Sequence, residues 1–207
     1  MKKIIYIDDI TSFPREYPLS AERKKRCAVL DSPAEKQKFI CAESFTCMAL
    51  ENYCDIKNPV LTGQAGKPLK VKDFPLLHLS RSYAGNSLAL FLNTDEPSGI
   101  DCEKILEADF NVIKYFFTEE EKEYVKKHKN KTYAFTLLWT RKEACIKCTD
   151  KGLNYPFHRL NTVPDTEEEL TGRCSGFSVK SYVKGNMILS AASESADDFP
   201  LFIEYEV

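Results

Sequence analysis

Between residues 77 and 105 the sequence gives up helical periodicity for short apolar runs. Leu77-His78-Leu79-Ser80, Leu88-Ala89-Leu90-Phe91-Leu92 and residues 99–105 are separated by Ala84-Gly85-Asn86 and by turn residues over 93–98. Runs of this kind, punctuated by glycine, asparagine and proline, are strands joined by tight turns. The spacing predicts an antiparallel meander in the middle of the chain. Because side chains alternate across a strand, Asp101 and Glu103 must share one face of the third run.

Helical patterns flank the meander. Ser20-Ala21-Glu22 opens a short, very basic segment as an N-cap would, and Ser32-Pro33 starts a second helix with serine as cap and proline at the first position. That helix is expected to run to about residue 50, with Phe39, Ala42, Phe45, Cys47 and Leu50 as its apolar stripe. Past the meander, residues 108–117 carry Phe110, Ile113 and Phe117 at helical spacing. Thr118 then caps an acidic turn with Glu121 at the capping-box position. Residues 133–148 form the longest helical pattern, ending before Gly152 as a left-handed cap. Residues 177–182, 187–190 and 201–207 read as strands, as does the N-terminal run Lys2 to Ile7.

The 207 residues include 29 basic and 31 acidic side chains, a net charge of −2. Such a balance argues against a chain that coats nucleic acid or an anionic membrane, so neither is an expected partner. No apolar run is long enough to span a bilayer, and the N-terminal run is too short for a signal peptide, which points to a cytoplasmic protein. The eight cysteines do not fall into paired C-x2-C spacing; Cys145-x-x-Cys148 stands alone inside a helix, so free thiols are expected.

Two sets of charges could carry chemistry. Asp101 and Glu103 face the same way, and Glu143 lies on the long helix, so packing that helix near the strand would converge three carboxylates. Hard oxygen donors of this type suit Mg2+, with Mn2+ as a substitute. Lys147 is one turn beyond Glu143 and on its face, within reach of a phosphate held there. Solvated surface charges would show the same spacings. The second set, Arg23, Lys24, Lys25, Arg26, Lys36 and Lys38, is either a solvated face or a pocket for a phosphorylated nucleotide, with Lys67 and Arg81 as further candidates. No P-loop, GxGxxG or GxSxG pattern is present, and the three histidines show no ligand spacing.

Three segments in order then carry a resemblance: Gly99-Ile100-Asp101-Cys102-Glu103, Phe116-Phe117-Thr118-Glu119-Glu120-Glu121 and Trp139-Thr140-Arg141-Lys142-Glu143-Ala144-Cys145-Ile146-Lys147. They resemble the signatures of 4′-phosphopantetheinyl transferases, and more narrowly the surfactin-synthetase-activating, monomeric type. In the first half, Leu19-Ser20-Ala21-Glu22-Arg23, Gly66-Lys67-Pro68 and Leu77-His78-Leu79-Ser80-Arg81-Ser82 are similar to further family segments. Arg81 stands where the family usually has histidine, His78 where it has asparagine, and Asp150 where the first glycine of a G-x-G falls.

The resemblance implies an α/β fold of pseudo-twofold symmetry. It would consist of two similar α+β halves, residues 1–98 and 99–207, each a small, mainly antiparallel sheet packed with helices, with coenzyme A in the cleft between them. The first half carries 14 basic and 12 acidic side chains (+2), the second 15 and 19 (−4). It implies transfer of the 4′-phosphopantetheine of coenzyme A to a serine of an apo acyl or peptidyl carrier protein, releasing adenosine 3′,5′-bisphosphate. Asp101, Glu103 and Glu143 would hold Mg2+, and Lys147 would lie on the pyrophosphate. Arg23, Arg26, Lys38, Lys67, Ser80 and Arg81 would contact coenzyme A. Glu143 is the preferred proton acceptor and Glu121 the second choice. The carrier would dock on apolar residues between 110 and 117 and on the loop to Lys131, and the enzyme would act as a monomer. Another Mg2+-dependent phosphoryl-transfer enzyme, or a module that binds carrier protein without catalysis, are the rival readings.

Overall fold

A computed structural model describes residues 1–64, 68–105, 107–149, 155–166, 170–194 and 200–206. The chain forms two compact units. One comprises Met1–Arg81, Gly85–Asp95 and Pro200–Val207, the other Ser82–Ala84 and Glu96–Phe199. The α/β architecture expected from the resemblance is present, with helices and mainly antiparallel sheets.

In the first unit, β1 (Lys2–Ile7) pairs antiparallel with β5 (Ser87–Asn93) from Lys2 opposite Asn93 to Ile7 opposite Leu88. Its other edge takes β10 (Leu201–Glu204) in parallel, and β4 (His78–Ala84) completes the sheet in the order β10-β1-β5-β4. Every residue of β5 is buried, which explains why Leu88 to Leu92 is a continuous apolar run rather than an alternating one. Here the structure corrects the expected meander. The free edge of β5 is occupied by β1, so the third run, β6 (Ser98–Lys104), finds its partner in a different sheet.

The helices of this unit begin as their caps dictate. Ser20 accepts from the Arg23 amide to start α1 (Ala21–Ala28). Ser32 and Glu35 form a capping box, with Pro33 in the first turn, to start α2 (Pro33–Cys54). Each such cap stabilises a helix by about 1 kcal/mol. Asp55, at φ 54°, ends α2 in the left-handed region. From Cys41 to Leu50 the helix is buried on every side, a wider contact than a single stripe. Phe45 packs edge-on against Phe13 and Tyr205, with ring centroids 5.4 Å away in both cases, so the chain's last residues close over the same core. Between them, β2 (Leu61–Thr62) and β3 (Lys70–Val71) form a short hairpin.

In the second unit β6 pairs with β9 (Met187–Ser193), then β8 (Phe177–Lys184) and β7 (Thr171–Cys174), all antiparallel. After β6 come α3 (Phe110–Phe116), α4 (Glu119–Lys127) and α5 (Lys131–Lys147). Thr118 and Glu121 form the expected capping box at α4, and Asn130 caps α5. One side of α5 supplies Ala144, Cys145 and Ile146 to a core shared with Phe177, Val179 and Ala192 of the sheet. Another core joins Phe135 and Leu138 of α5 to Phe117 and Val125. The eight cysteines are all free thiols. Among the described residues no helix is long and apolar enough to cross a membrane. The expected Gly152 cap and Asp150 lie outside the described residues.

Candidate active site

The second unit brings β6 and α5 unusually close. A Cβ on Gly99 would lie 2.0 Å from the Ala144 carbonyl oxygen and 2.8 Å from Lys147 Cβ, so only glycine permits the approach. The contact sets the face of α5 that carries Glu143 and Lys147 beside the strand that carries Asp101 and Glu103. Lys147 Nζ donates to Asp101 Oδ1 at 2.7 Å, to the Ile100 carbonyl at 2.9 Å and to Ser82 Oγ at 3.1 Å. Ser82 Oγ in turn donates to the same Asp101 Oδ1 at 2.8 Å.

This leaves a charge imbalance. Asp101 is 5% exposed, and its Oδ2 has no hydrogen-bond partner among the described residues. Burial, with Asp101 and Glu143 adding repulsion against the opposing pull of Lys147, pushes the Glu103 carboxyl up to about 7. Burial and Asp101 likewise push Glu143 up. One ammonium among three half-buried or buried carboxylates does not neutralise them, so the cluster fits a cation: it has hard oxygen donors, an orphaned oxygen and unrelieved repulsion. The carboxylates do not close into a cage. Among the described residues no three His, Cys, Asp or Glu side chains stand close enough together to enclose an ion. Mg2+ does not require one, since it commonly takes one or two protein carboxylates and completes its shell with water and substrate phosphate.

A model of the 4′-phosphopantetheinyl transferase superfamily matches residues 97–197, a segment that includes β6, α5 and all the carboxylates above. The matched segment, just under half of the chain, is similar to that superfamily. The chain is 24% identical over 200 residues to the 4′-phosphopantetheinyl transferase ffp of Bacillus subtilis, covering 91% of this chain and 88% of the relative. To the transferase Sfp of Bacillus subtilis strain 168 it is 30% identical over 145 residues, 67% of this chain and 64% of the relative. To psf-1 of Bacillus pumilus it is 34% identical over 93 residues, covering 44% and 39%.

Other residues that the superfamily resemblance marks for chemistry have structural roles. Glu121, the second candidate base, is fully buried: Oε2 accepts from the Thr118 amide at 2.8 Å and pairs with Lys142 Nζ at 2.8 Å, while Oε1 accepts from the Thr162 amide and hydroxyl. Its lone pairs are committed to Thr118, Lys142 and Thr162. Lys142 therefore points into the core while its neighbour Glu143 points out, because adjacent helical positions lie about 100° apart.

The basic segment in the first unit is also reassigned in part. Arg23, 6% exposed, grips Glu43 through Nε at 2.7 Å and Nη2 at 2.8 Å and reaches the Gly63 carbonyl through Nη1 at 2.7 Å. Arg81 Nη2 donates to the same Glu43 carboxylate at 2.7 Å, and its Nη1 reaches Thr46 Oγ1 at 3.1 Å. These two arginines thus satisfy a buried acid rather than standing open to a phosphate. Arg26 is half-buried on α1, Lys38 donates to the Gly85 carbonyl, Ser80 is buried on β4, and Lys67 lies outside the described residues.

Ser82, quoted above only as the end of a segment and given no role, and Glu43, which drew no attention in the sequence, carry these two networks. Ser82 could have been found by alternation, since it shares its strand face with Ser80. Glu43 could have been found as a lone acid in the apolar stretch of α2.

Proposed function

We propose that this chain transfers the 4′-phosphopantetheine of coenzyme A to a serine of an apo acyl or peptidyl carrier protein. The observation that carries the reading is the Asp101 carboxylate, held on one oxygen by Ser82 and Lys147 and, among the described residues, unpartnered on the other, beside Glu103 and Glu143. The serine oxygen attacks the phosphorus that bears pantetheine. A new P–O bond forms, the bond to the bridging pyrophosphate oxygen breaks, and adenosine 3′,5′-bisphosphate leaves with the electron pair.

Asp101, Glu103 and Glu143 would hold Mg2+, or Mn2+ in its place, which supplies Lewis-acid polarisation of the pyrophosphate. Lys147 neutralises charge on the same group, and Glu143 accepts the serine proton. Arg26, Lys38, Lys67 and Ser80 contact coenzyme A, while Arg23 and Arg81 shape the same region through Glu43. The carrier docks on α3, which presents Phe110, Tyr115 and Phe116 to solvent. The enzyme works as a monomer in the cytoplasm.

The test is to incubate the protein with coenzyme A, Mg2+ and a panel of apo carrier proteins and weigh each carrier. A gain of one phosphopantetheine, abolished in Glu143→Ala, is expected. No gain with any carrier would sink the proposal.

A further inference from the structure

We propose that Ser82 is a positioning residue of the cation site: its hydroxyl fixes the plane of the Asp101 carboxylate so that Oδ2 faces the metal. The inference deepens the transferase reading and rests on it. A carboxylate oxygen accepts hydrogen bonds through two lone-pair sites. On Asp101 Oδ1 these are taken by Ser82 Oγ at 2.8 Å and Lys147 Nζ at 2.7 Å, while Oδ2, itself buried, has no partner among the described residues. The carboxylate is thus polarised by its surroundings into one committed and one available oxygen.

Of the two donors, the hydroxyl is the one that sets the angle. The terminal torsion of aspartate is broad, so its rotamer does not by itself fix where Oδ2 points. Lys147 ends in a rotating ammonium on a flexible stem, a point charge that can follow the carboxylate as it turns. Ser82 sits on a β-strand with a one-bond side chain and is 8% exposed, so its oxygen has little freedom. It also accepts from Lys147 Nζ at 3.1 Å, which ties the ammonium to the same spot. Without the hydroxyl, the Ile100 carbonyl at 2.9 Å still anchors the ammonium, but the carboxylate keeps a single contact about which it can turn, and Oδ2 loses its aim. Alanine would keep the strand and the charge and remove only this constraint.

The experiment compares the parent with Ser82→Ala and Ser82→Thr. Mn2+ is titrated into the coenzyme A-free protein and bound metal is read by electron paramagnetic resonance, and transfer is measured against Mg2+ concentration. Outer-shell partners of metal ligands typically change affinity about 10–100-fold. Ser82→Ala is therefore expected to weaken Mn2+ binding by about tenfold or more and to raise the half-saturating Mg2+ by a similar factor. Its metal-free melting temperature should fall only by the few degrees that losing a buried hydrogen bond costs, leaving the variant folded, and Ser82→Thr, which keeps the hydroxyl, should restore most of the affinity. An Mn2+ affinity in Ser82→Ala within about twofold of the parent overturns the inference, as does a parent that binds no Mn2+. A parent that binds Mn2+, and loses it on Ser82→Ala, but transfers nothing to any carrier supports the role of Ser82 while refuting the transferase reading.

Discussion

Lys142 Nζ lies 2.8 Å from Glu121 Oε2, and neither side chain has any exposure. Glu121, which the resemblance offers as the second choice of proton acceptor, thus forms a buried ion pair that joins α5 to the first turn of α4. Lys142 also donates to the Phe157 and Leu160 carbonyls, so its charge is fully solvated by protein. A buried pair costs desolvation that its attraction only partly repays, but removing one member strands the other.

Glu121→Ala and Lys142→Met are therefore each expected to lose about 3–5 kcal/mol of stability. Joint replacement by apolar residues of similar size should recover much of the loss. Urea unfolding of the two single variants and the double variant measures this. Transfer per folded molecule in Glu121→Ala should persist; its abolition in a folded variant would return Glu121 to the chemistry.

The Arg23–Glu43–Arg81 network gives stability a pH dependence. Burial pushes the Glu43 carboxyl up, but the Arg23 and Arg81 guanidiniums outweigh it and hold it below the ordinary 4.5. A carboxyl depressed in the folded state contributes stability that is present above its unfolded value and is lost as pH falls through the folded one. Unfolding free energy should thus decline below about pH 4.5. In Glu43→Gln this part of the decline should disappear, from a lower plateau at neutral pH because two buried guanidiniums lose their counter-charge. Denaturant titrations from pH 7 to pH 3 on both proteins decide it.

Local rules made some features legible and not others. The Ser20, Ser32 and Thr118 caps were readable because a cap and its helix are three residues apart. The pairings of Asp101 with Glu103 and of Glu143 with Lys147 followed from strand and helix periods. The placement of β6 was hidden, because which strand claims the edge of β5 is decided by β1 and β10, from opposite ends of the chain. The charge networks were hidden for the same reason. Nothing within a few residues of Arg23 says that Glu43, twenty positions on, will take its charge, and nothing near Asp101 shows that Ser82 supplies its hydrogen bond.

Gly99 is expected to be intolerant of even one added methyl. Its would-be Cβ meets backbone at 2.0 Å, the Ala144 carbonyl, which cannot turn aside as a flexible side chain could. Gly99→Ala must move α5 away from β6, and Lys147 and Glu143 move with it. Overpacking of this kind costs about 1–3 kcal/mol, or a few degrees of melting temperature per kcal/mol at this chain length. The loss of transfer should exceed what the unfolded fraction explains, because the ammonium leaves the Asp101 carboxylate. Thermal melts paired with single-turnover transfer rates separate the two effects; a stable variant with the parent rate would mean that the close approach does not set the site.

The exposed face of α3 should determine how tightly the carrier binds and leave the chemistry alone. Phe110 is 82% exposed and Tyr115 60%, in a helix with no buried residue, so truncating either side chain removes little folding energy. A partner that covers them would lose the apolar area they offer, and aromatic side chains are the residues that most often dominate protein interfaces. Phe110→Ala with Tyr115→Ala is expected to raise KM for the carrier by about tenfold, equivalent to about 1.4 kcal/mol, with kcat and the KM for coenzyme A unchanged. Steady-state kinetics varying each substrate in turn give this split. A change in the coenzyme A constant instead would place the nucleotide against α3, and no change in either would move carrier docking to another surface.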